Sequence, residues 1–307
     1  MIIITERDET ISSVRRMQEY IEEHLTEKIT LSLLARAAGY SPWHCEKLFK
    51  EFVGITPFDY IRALRLSKAA IVLRDNKPKI IDVAFDFVFD SHEGFTKAFT
   101  KRFGLSPKSY SKETPPISLF FPYPANYYRH TKHNGEITMP ESKNLKAVFI
   151  QVIERPERKV LIKRGVKADE YFAYCEEVGC EVWGMLTSVK EALYEPIGMW
   201  LPKSMIKSGT SQYIQGVELP MDYDKPVPEG YELTEFSPCK MMVFQGPPYK
   251  DDNFEEAITD MWELIKTFDP SLYGYEWADD VAPRFQLIPM GYRGYIEARP
   301  VNPINEA

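Results

Sequence analysis

The sequence predicts a multidomain chain: an all-α domain with two helix-turn-helix motifs over residues 1–112, then an α+β domain built from a duplicated ββαββ unit over 145–307. Residues 113–144 read as the linker between them. Three observations carry this reading. A twenty-residue stretch, "SPWHCEKLFKEFVGITPFDY" (41–60), returns fifty residues later as "SHEGFTKAFTKRFGLSPKSY" (91–110), with Ser41/Ser91, Lys47/Lys97, Phe49/Phe99, Gly54/Gly104, Pro57/Pro107 and Tyr60/Tyr110 coinciding without a gap. The hydrophobic period is helical up to about residue 110 and turns strand-like after 145. The sign of the charge also changes: residues 28–112 hold 15 Lys+Arg against 8 Asp+Glu, whereas 113–307 hold 20 against 30.

The elements follow in order. "ISSVRRMQEYIEEHL" places Ile11, Val14, Met17, Ile21 and Leu25 on one helical stripe. Thr30 can cap a short helix, "LSLLARAAG", that stops at Gly39. Ser41-Pro42 opens the next helix, with an N-cap and a proline at the first helical position. Short helix, tight turn and second helix make a helix-turn-helix. Gly54 to Pro57 ends it and starts a long helix, "PFDYIRALRLSKAAIVLRD"; after "NKP" the arrangement repeats. Leu48, Phe49 and Phe52, and then Phe95, Phe99 and Phe103, recur three to four residues apart and are expected in the core. The opposite faces carry Trp43, Glu46, Lys47 and Lys50 on the first of these helices, and His92, Glu93, Thr96, Lys97 and Lys101 on the second.

Those faces suit duplex DNA. A helix entering the major groove N-terminus first offers its first two turns to base edges, while lysines meet phosphates. Two such helices on a stiff spacer can enter successive grooves about 34 Å apart. The net charge of −7 does not argue against this, because the basic excess lies in the part that carries the repeats.

The stretches "GYSPWHCEKLFKEFVGITPFDYIRALRLSKAA" and "IIDVAFDFVFDSHEGFTKAFTKRFGLSPKSY" resemble the DNA-binding domain of AraC/XylS transcription regulators over roughly residues 8–112, nearest to its Rob/MarA branch. The resemblance implies a homeodomain-like fold and base-facing positions at Trp43, Glu46, Lys47, His92, Glu93, Thr96 and Lys97. Amides and arginines are expected at several of these positions. The carboxylates of Glu46 and Glu93 accept from cytosine N4 but repel phosphate, and Lys47 and Lys97 lack arginine's bidentate fork to guanine, so the operator cannot be carried over from relatives.

From Leu145 onward the order strand, strand, helix, strand, strand occurs twice, which predicts one antiparallel domain with approximate twofold symmetry and a groove between matching helices. In order and contents it is similar to GyrI-like effector-binding domains. That resemblance implies a Glu in the last strand, here Glu297 in "GYIEARPV", with Gln286 in "RFQLI" where the family often has an acid. Tyr295 and Glu297 alternate onto one strand face. Trp183, Trp200, Tyr213, Trp262, Phe285 and Tyr295 are large aromatics spread over both repeats and, with Gln286 and Glu297, are candidates to line an effector pocket. An acid among aromatic faces suits a lipophilic cation, each cation–π contact contributing about 0.5–2 kcal/mol.

Together these readings give a transcriptional regulator with double-stranded DNA and a small hydrophobic or cationic effector as partners, RNA polymerase as a further one, and no enzymatic activity. The alternative is a hydrolase or sequestering protein for reactive small molecules, with Glu297 as general base. No cofactor is expected. The spacings of Cys45, Cys175, Cys180 and Cys239, and of His130 and His133, match no metal or disulfide framework. No apolar run reaches the ~20 residues of a membrane span, "MIIITERDET" is not a secretory signal, and a cytoplasmic location is expected.

Overall fold

The computed structural model describes residues 6–120, 148–179, 181–250 and 253–304, which fall into two compact units. His130, His133, Cys180 and residues 121–144 of the expected linker lie outside the described residues.

The first unit holds α1 (Glu6–Glu23), α2 (Leu31–Ala38), α3 (Pro42–Val53), α4 (Pro57–Asn76), α5 (Ile80–Asp86), α6 (His92–Phe103) and α7 (Pro107–Glu113). The matched residues of the two repeats do matched work at helix ends. Ser41 Oγ accepts the His44 N–H and Ser91 Oγ the Gly94 N–H, which starts α3 and α6. Gly54 at φ +84° and Gly104 at φ +78° stop them in the left-handed region that suits glycine. Thr56 and Ser106 then cap α4 and α7, each with a buried proline at the first helical position. The alignment also places Tyr60 and Tyr110 in the core.

Val14, Met17, Ile21, Leu34, Phe49, Leu64, Leu73, Phe95 and Phe99 form one contiguous core, with Ala69 and Ala70 of α4 letting neighbours approach closely. Phe52 and Phe103, expected inside, are only half-buried at the rim, in the last turns of their helices. The expected linker begins too early. Ile117 and Leu119 are buried in this core, the Phe120 N–H donates to Ser67 Oγ at 2.7 Å, and the Phe120 ring meets Tyr60 edge-on at 5.1 Å.

The second unit holds β1 (Phe149–Arg155), β2 (Arg158–Arg164), α8 (Tyr171–Val178), α9 (Glu181–Ser188), β3 (Ile197–Trp200), β4 (Tyr213–Leu219), β5 (Glu232–Phe236), β6 (Cys239–Gln245), α10 (Phe254–Thr267), β7 (Tyr275–Trp277), β8 (Arg284–Leu287) and β9 (Ile296–Pro303). The strands form one antiparallel sheet in the order β1-β6-β9-β8-β3-β4-β2-β5, with β7 added on β9. Each repeat gives its first strand to the other: β1 pairs with β6, and β5 with β2. Trp183 lies on α9, because the single helix expected around it is interrupted at Gly179, φ +102°. The three-residue β7 is too short to show alternation in sequence.

Helices pack on one face of the sheet. Tyr174, Val182 and Leu186 meet Leu161, Tyr213 and Val217 in the first repeat; Met261 and Ile265 meet Met242, Phe244 and Tyr295 in the second. A separate core on the other face includes Ile162, Ile197, Met199, Ile214, Met241 and Ala298. Phe285 belongs to that second core, which corrects its expected place among the groove aromatics: its neighbours in sequence, Arg284 and Gln286, take the helix-bearing face.

One backbone position is strained. The turn between α5 and α6 places Val88 at φ +61°, where the first motif has Gly39 at φ +77°. The Val88 N–H bonds Phe85 O and the Phe89 N–H bonds Ala84 O, both at 2.9 Å, while buried Phe87 and the Phe89–Phe95 edge contact hold the turn from both sides. A β-branched residue in this region costs about 1–2 kcal/mol, and glycine would return part of that as chain entropy in the unfolded state. Val88→Gly is expected to stabilise the helical unit by about 0.5–1 kcal/mol, read as a higher urea midpoint for the loss of helical circular dichroism.

Candidate nucleic-acid interface and a buried acidic centre

On α3, Trp43 is 72% exposed and Glu46, Lys47 and Lys50 are exposed with it, so the four share the solvent face. The Lys47 Nζ lies 5.8 Å from the Trp43 ring centroid, a cation–π contact that positions the ammonium without burying it. On α6, Glu93, Lys97 and Lys101 are exposed, while His92 and Thr96 are half-buried. The caps of Ser41 and Ser91 aim both helix starts in the same local manner, since each hydroxyl binds the N–H three residues on. Between the motifs stands α4, 20 residues and so about 30 Å long, close to one turn of duplex DNA. The sequence reading missed Ile81 and Phe85, which are 45% and 56% exposed one helical turn apart on α5, flanked by exposed Asp82 and Asp86. Their four-residue spacing, opposite buried Val83, Ala84 and Phe87, was the available signal.

In the second unit the strand registers lay one row of side chains across the helix-bearing face. Phe244 pairs with Glu297, Glu297 with Gln286, Gln286 with Gly198, Gly198 with Gln215, and Gln215 with Lys163. Glu297 is only 1% exposed. Its Oε2 accepts the Trp262 indole N–H at 2.9 Å and the Tyr295 hydroxyl at 2.9 Å. The same hydroxyl stands 3.0 Å from the Gln286 side-chain oxygen. A tyrosine has one proton to give; with that proton on Glu297, the Gln286 amide completes the set by turning its NH2 to the hydroxyl oxygen. Glu297 Oε1 receives no hydrogen bond among the described residues and faces Arg284 Nη1 at 3.7 Å. The Arg284 guanidinium stacks at 4.1 Å on the ring of Trp200, whose indole N–H is tied to Asp169 O at 2.9 Å.

Burial holds the Glu297 carboxyl above the usual carboxylate range, against the opposing pull of Arg284, Tyr295 and Trp262. Burial, and then the neighbouring Glu297 charge, push the Tyr295 hydroxyl well above the usual phenol range, so it remains a donor. The centre can therefore hold a proton or a cation against one carboxylate in a site walled by aromatic rings.

Comparison with known proteins matches this architecture. Residues 34–113 fit the "Helix-turn-helix domain" family model. Over 258 residues the chain is 39% identical to the right origin-binding protein of Escherichia coli K12, covering 83% of this chain and 82% of that protein. It is 31% identical over 178 residues to the transcriptional regulator Rob of Salmonella typhimurium, covering 55% of each chain. A solved structure, the C-terminal domain of AraT, a response regulator from Geobacillus stearothermophilus, is 29% identical and covers 36% of this chain and 92% of that one, with a TM-score of 0.32. The chain belongs to the AraC/XylS family of transcriptional regulators. Within that family it has the Rob-like order, a helical DNA-binding domain first and a sheet-rich domain second.

For this AraC/XylS regulator the structure brings Trp262, Gln286, Tyr295 and Glu297 into direct contact and places Trp200 beside them through Arg284. Tyr213 is fully buried under the same face, edge-on to Trp200 at 5.0 Å. Trp183 is buried on α9, where its ring lies 6.4 Å from Tyr171. Trp262 is the one of the three tryptophans Trp183, Trp200 and Trp262 that stays exposed, at 44%. Arg284 is not among the residues the sequence points to, although it is two residues before Gln286 and strand alternation puts the two on one face. No described helix is long and apolar enough to cross a membrane.

The raised carboxyl sets a sign for pH dependence. A group more acidic when unfolded than when folded stays ionised in the unfolded chain over a pH range where folding opposes its charge. Glu297 therefore costs stability above the unfolded carboxyl range, near pH ~4.3, and costs none below it, where both states are protonated. Glu297→Gln is expected to melt a few degrees higher than wild type at pH 8, with the two curves converging as pH falls toward 4, followed by differential scanning fluorimetry across that range.

Proposed function

We propose that α3 and α6 carry the contacts of this transcriptional regulator to duplex DNA, and that its second unit senses a small apolar cation at Glu297. For DNA, the observation that carries the reading is the pair of equivalently capped helices with exposed Trp43, Glu46, Lys47 and Lys50 on one and Glu93, Lys97 and Lys101 on the other. Half-buried His92 and Thr96 border the second face. The lysines suit phosphates, and Trp43 suits an apolar contact such as a thymine methyl. For the effector, the carrying observation is a carboxylate 1% exposed whose Oε1 receives no hydrogen bond among the described residues, ringed by Trp262, Tyr295 and, through Arg284, Trp200. Gln286 and Tyr213 complete the floor. The relatives' names describe regulators and an origin-binding protein, and sensing is accordingly preferred to turnover here. An effector acts through its difference in affinity between states that do and do not favour DNA binding or contact with RNA polymerase.

The DNA contact is tested on a promoter fragment titrated at graded salt. Affinity is expected to fall steeply between 50 and 200 mM salt, with Lys97→Ala lowering the log–log slope by about one. Trp43→Ala is expected to weaken specific binding about tenfold while leaving that slope in place, since an apolar base contact releases no counterion. Salt-independent binding, or full affinity when Trp43→Ala and Lys97→Ala are combined, would count against this face.

A further inference from the structure

We propose that Arg284 is a built-in competitor for the buried acid: its guanidinium occupies the position of an effector cation, and a ligand enters by expelling it. This rests on the reading that the groove receives a cation at Glu297.

Three features of the geometry support it. First, the contacts of Arg284 are those a planar cation would make. It lies 4.1 Å over the face of Trp200 and 3.7 Å from Glu297 Oε1. Trp200 cannot turn away readily, since its N–H is held by Asp169 O and its ring is met edge-on by Tyr213. Second, the pair lacks the form of a structural ion pair. Charge-assisted N–H···O bonds run to ~2.7–2.9 Å and arginine commonly makes them in pairs. Elsewhere in this unit Arg293 does so, reaching the two oxygens of Glu195 at 2.7 and 2.8 Å. Arg284 at 3.7 Å makes no hydrogen bond to Glu297, which leaves Oε1 open to a better donor or a closer cation. Third, only one member of the pair can leave. The Arg284 side chain is already 35% exposed at the first residue of β8, so it can swing into water and be fully hydrated there; Glu297 is 1% exposed in the middle of the sheet.

The ligand class follows from the contest. A hard, strongly hydrated ammonium gains little on an indole face over the guanidinium already there. A delocalised cation attached to an apolar ring gains both the acid and the aromatic walls, and so wins.

The test uses benzamidinium, a planar cation on an aromatic ring, with the full-length chain and binding measured by titration calorimetry. Arg284→Gln is expected to bind it at least tenfold more tightly than wild type. Arg284→Lys, which keeps the charge but not the plane, should fall between them and decides the matter if the glutamine variant melts before it can be titrated. Adding Glu297→Gln to Arg284→Gln should abolish the gain. Equal or weaker binding by the Arg284 variants, with wild-type binding measurable, overturns the competitor and leaves the cation site standing. Absence of binding in every protein overturns the cation site, and the competitor with it.

Discussion

The seam between β3 and β8 is the constraint on which the second unit depends. Four residue pairs, from Ile197↔Leu287 to Trp200↔Arg284, join the two repeats into one antiparallel sheet. The seam sets Gly198 opposite Gln286, and the next pairs outward set Gln215 and Glu297 on the same row. A slip of one residue would send Gln286 and Glu297 to the other face, among Met199, Ile214 and Met241, where an unpaired carboxylate has no donor. The exchange of β1 and β5 between repeats reinforces the register, since each outer strand is anchored on the partner repeat's second strand. The two-residue connections Pro156-Glu157 (β1 to β2) and Ser237-Pro238 (β5 to β6) are equally short in the two repeats, and each joins strands that pair with the other repeat rather than with each other.

In the helical unit the corresponding constraint is the set of helix ends. Hydroxyl caps at Ser41, Thr56, Ser91 and Ser106, and left-handed stops at Gly54 and Gly104, make the length of α3 equal to that of α6, 12 residues each. Equal lengths between equal caps keep exposed lysines at matched positions, Lys47 with Lys97, over buried Phe49 and Phe99. The α5–α6 turn departs from this economy. It has four residues between its helix and the next cap, against two in the α2–α3 turn, and uses Val88 where glycine would be relaxed. Its sequence therefore tolerates local strain in order to bury Phe87 and to seat Phe89 on Phe95.

What could be read from the sequence divides along physical lines. Caps and helix stripes are local: Thr30, Ser41, Gly39 and Gly54 act within four residues, and α2, α3 and the start of α4 end where those residues say they should. Strand alternation was legible enough to place Tyr295 and Glu297 on one face. Pairing was not, because nothing within one strand says that Glu297 lies beside Gln286 or that Arg284 lies over Trp200. Phe285 shows the same gap: its aromatic character groups it with Trp262, whereas the register turns it to the opposite core. Ile117 and Leu119 look like linker in the sequence because a segment without a period gives no local sign of the core that receives it.

The approximate twofold axis through the Gly198–Gln286 pair explains why the row carries a single carboxylate. The axis relates β4 to β9, so that Tyr213 corresponds to Tyr295 and Gln215 to Glu297, as the matching "YIQ" and "YIE" indicate. Two acids at Gln215 and Glu297 would face each other across the short row Gln286–Gly198 and oppose each other's ionisation in a buried site. An amide at one of the two positions removes that conflict and leaves one carboxylate. The second break in symmetry is Gly198 itself. A Cβ there would fall 2.0 Å from the Tyr213 hydroxyl, so the small residue lets Tyr213 lie across the floor where Gln286 stands on the other side. Two equivalent half-sites thus become one polar half and one filled half. In the proposed effector site this asymmetry would set a positive charge at the acid and an apolar body over the filled half, so that such a ligand would bind in one orientation.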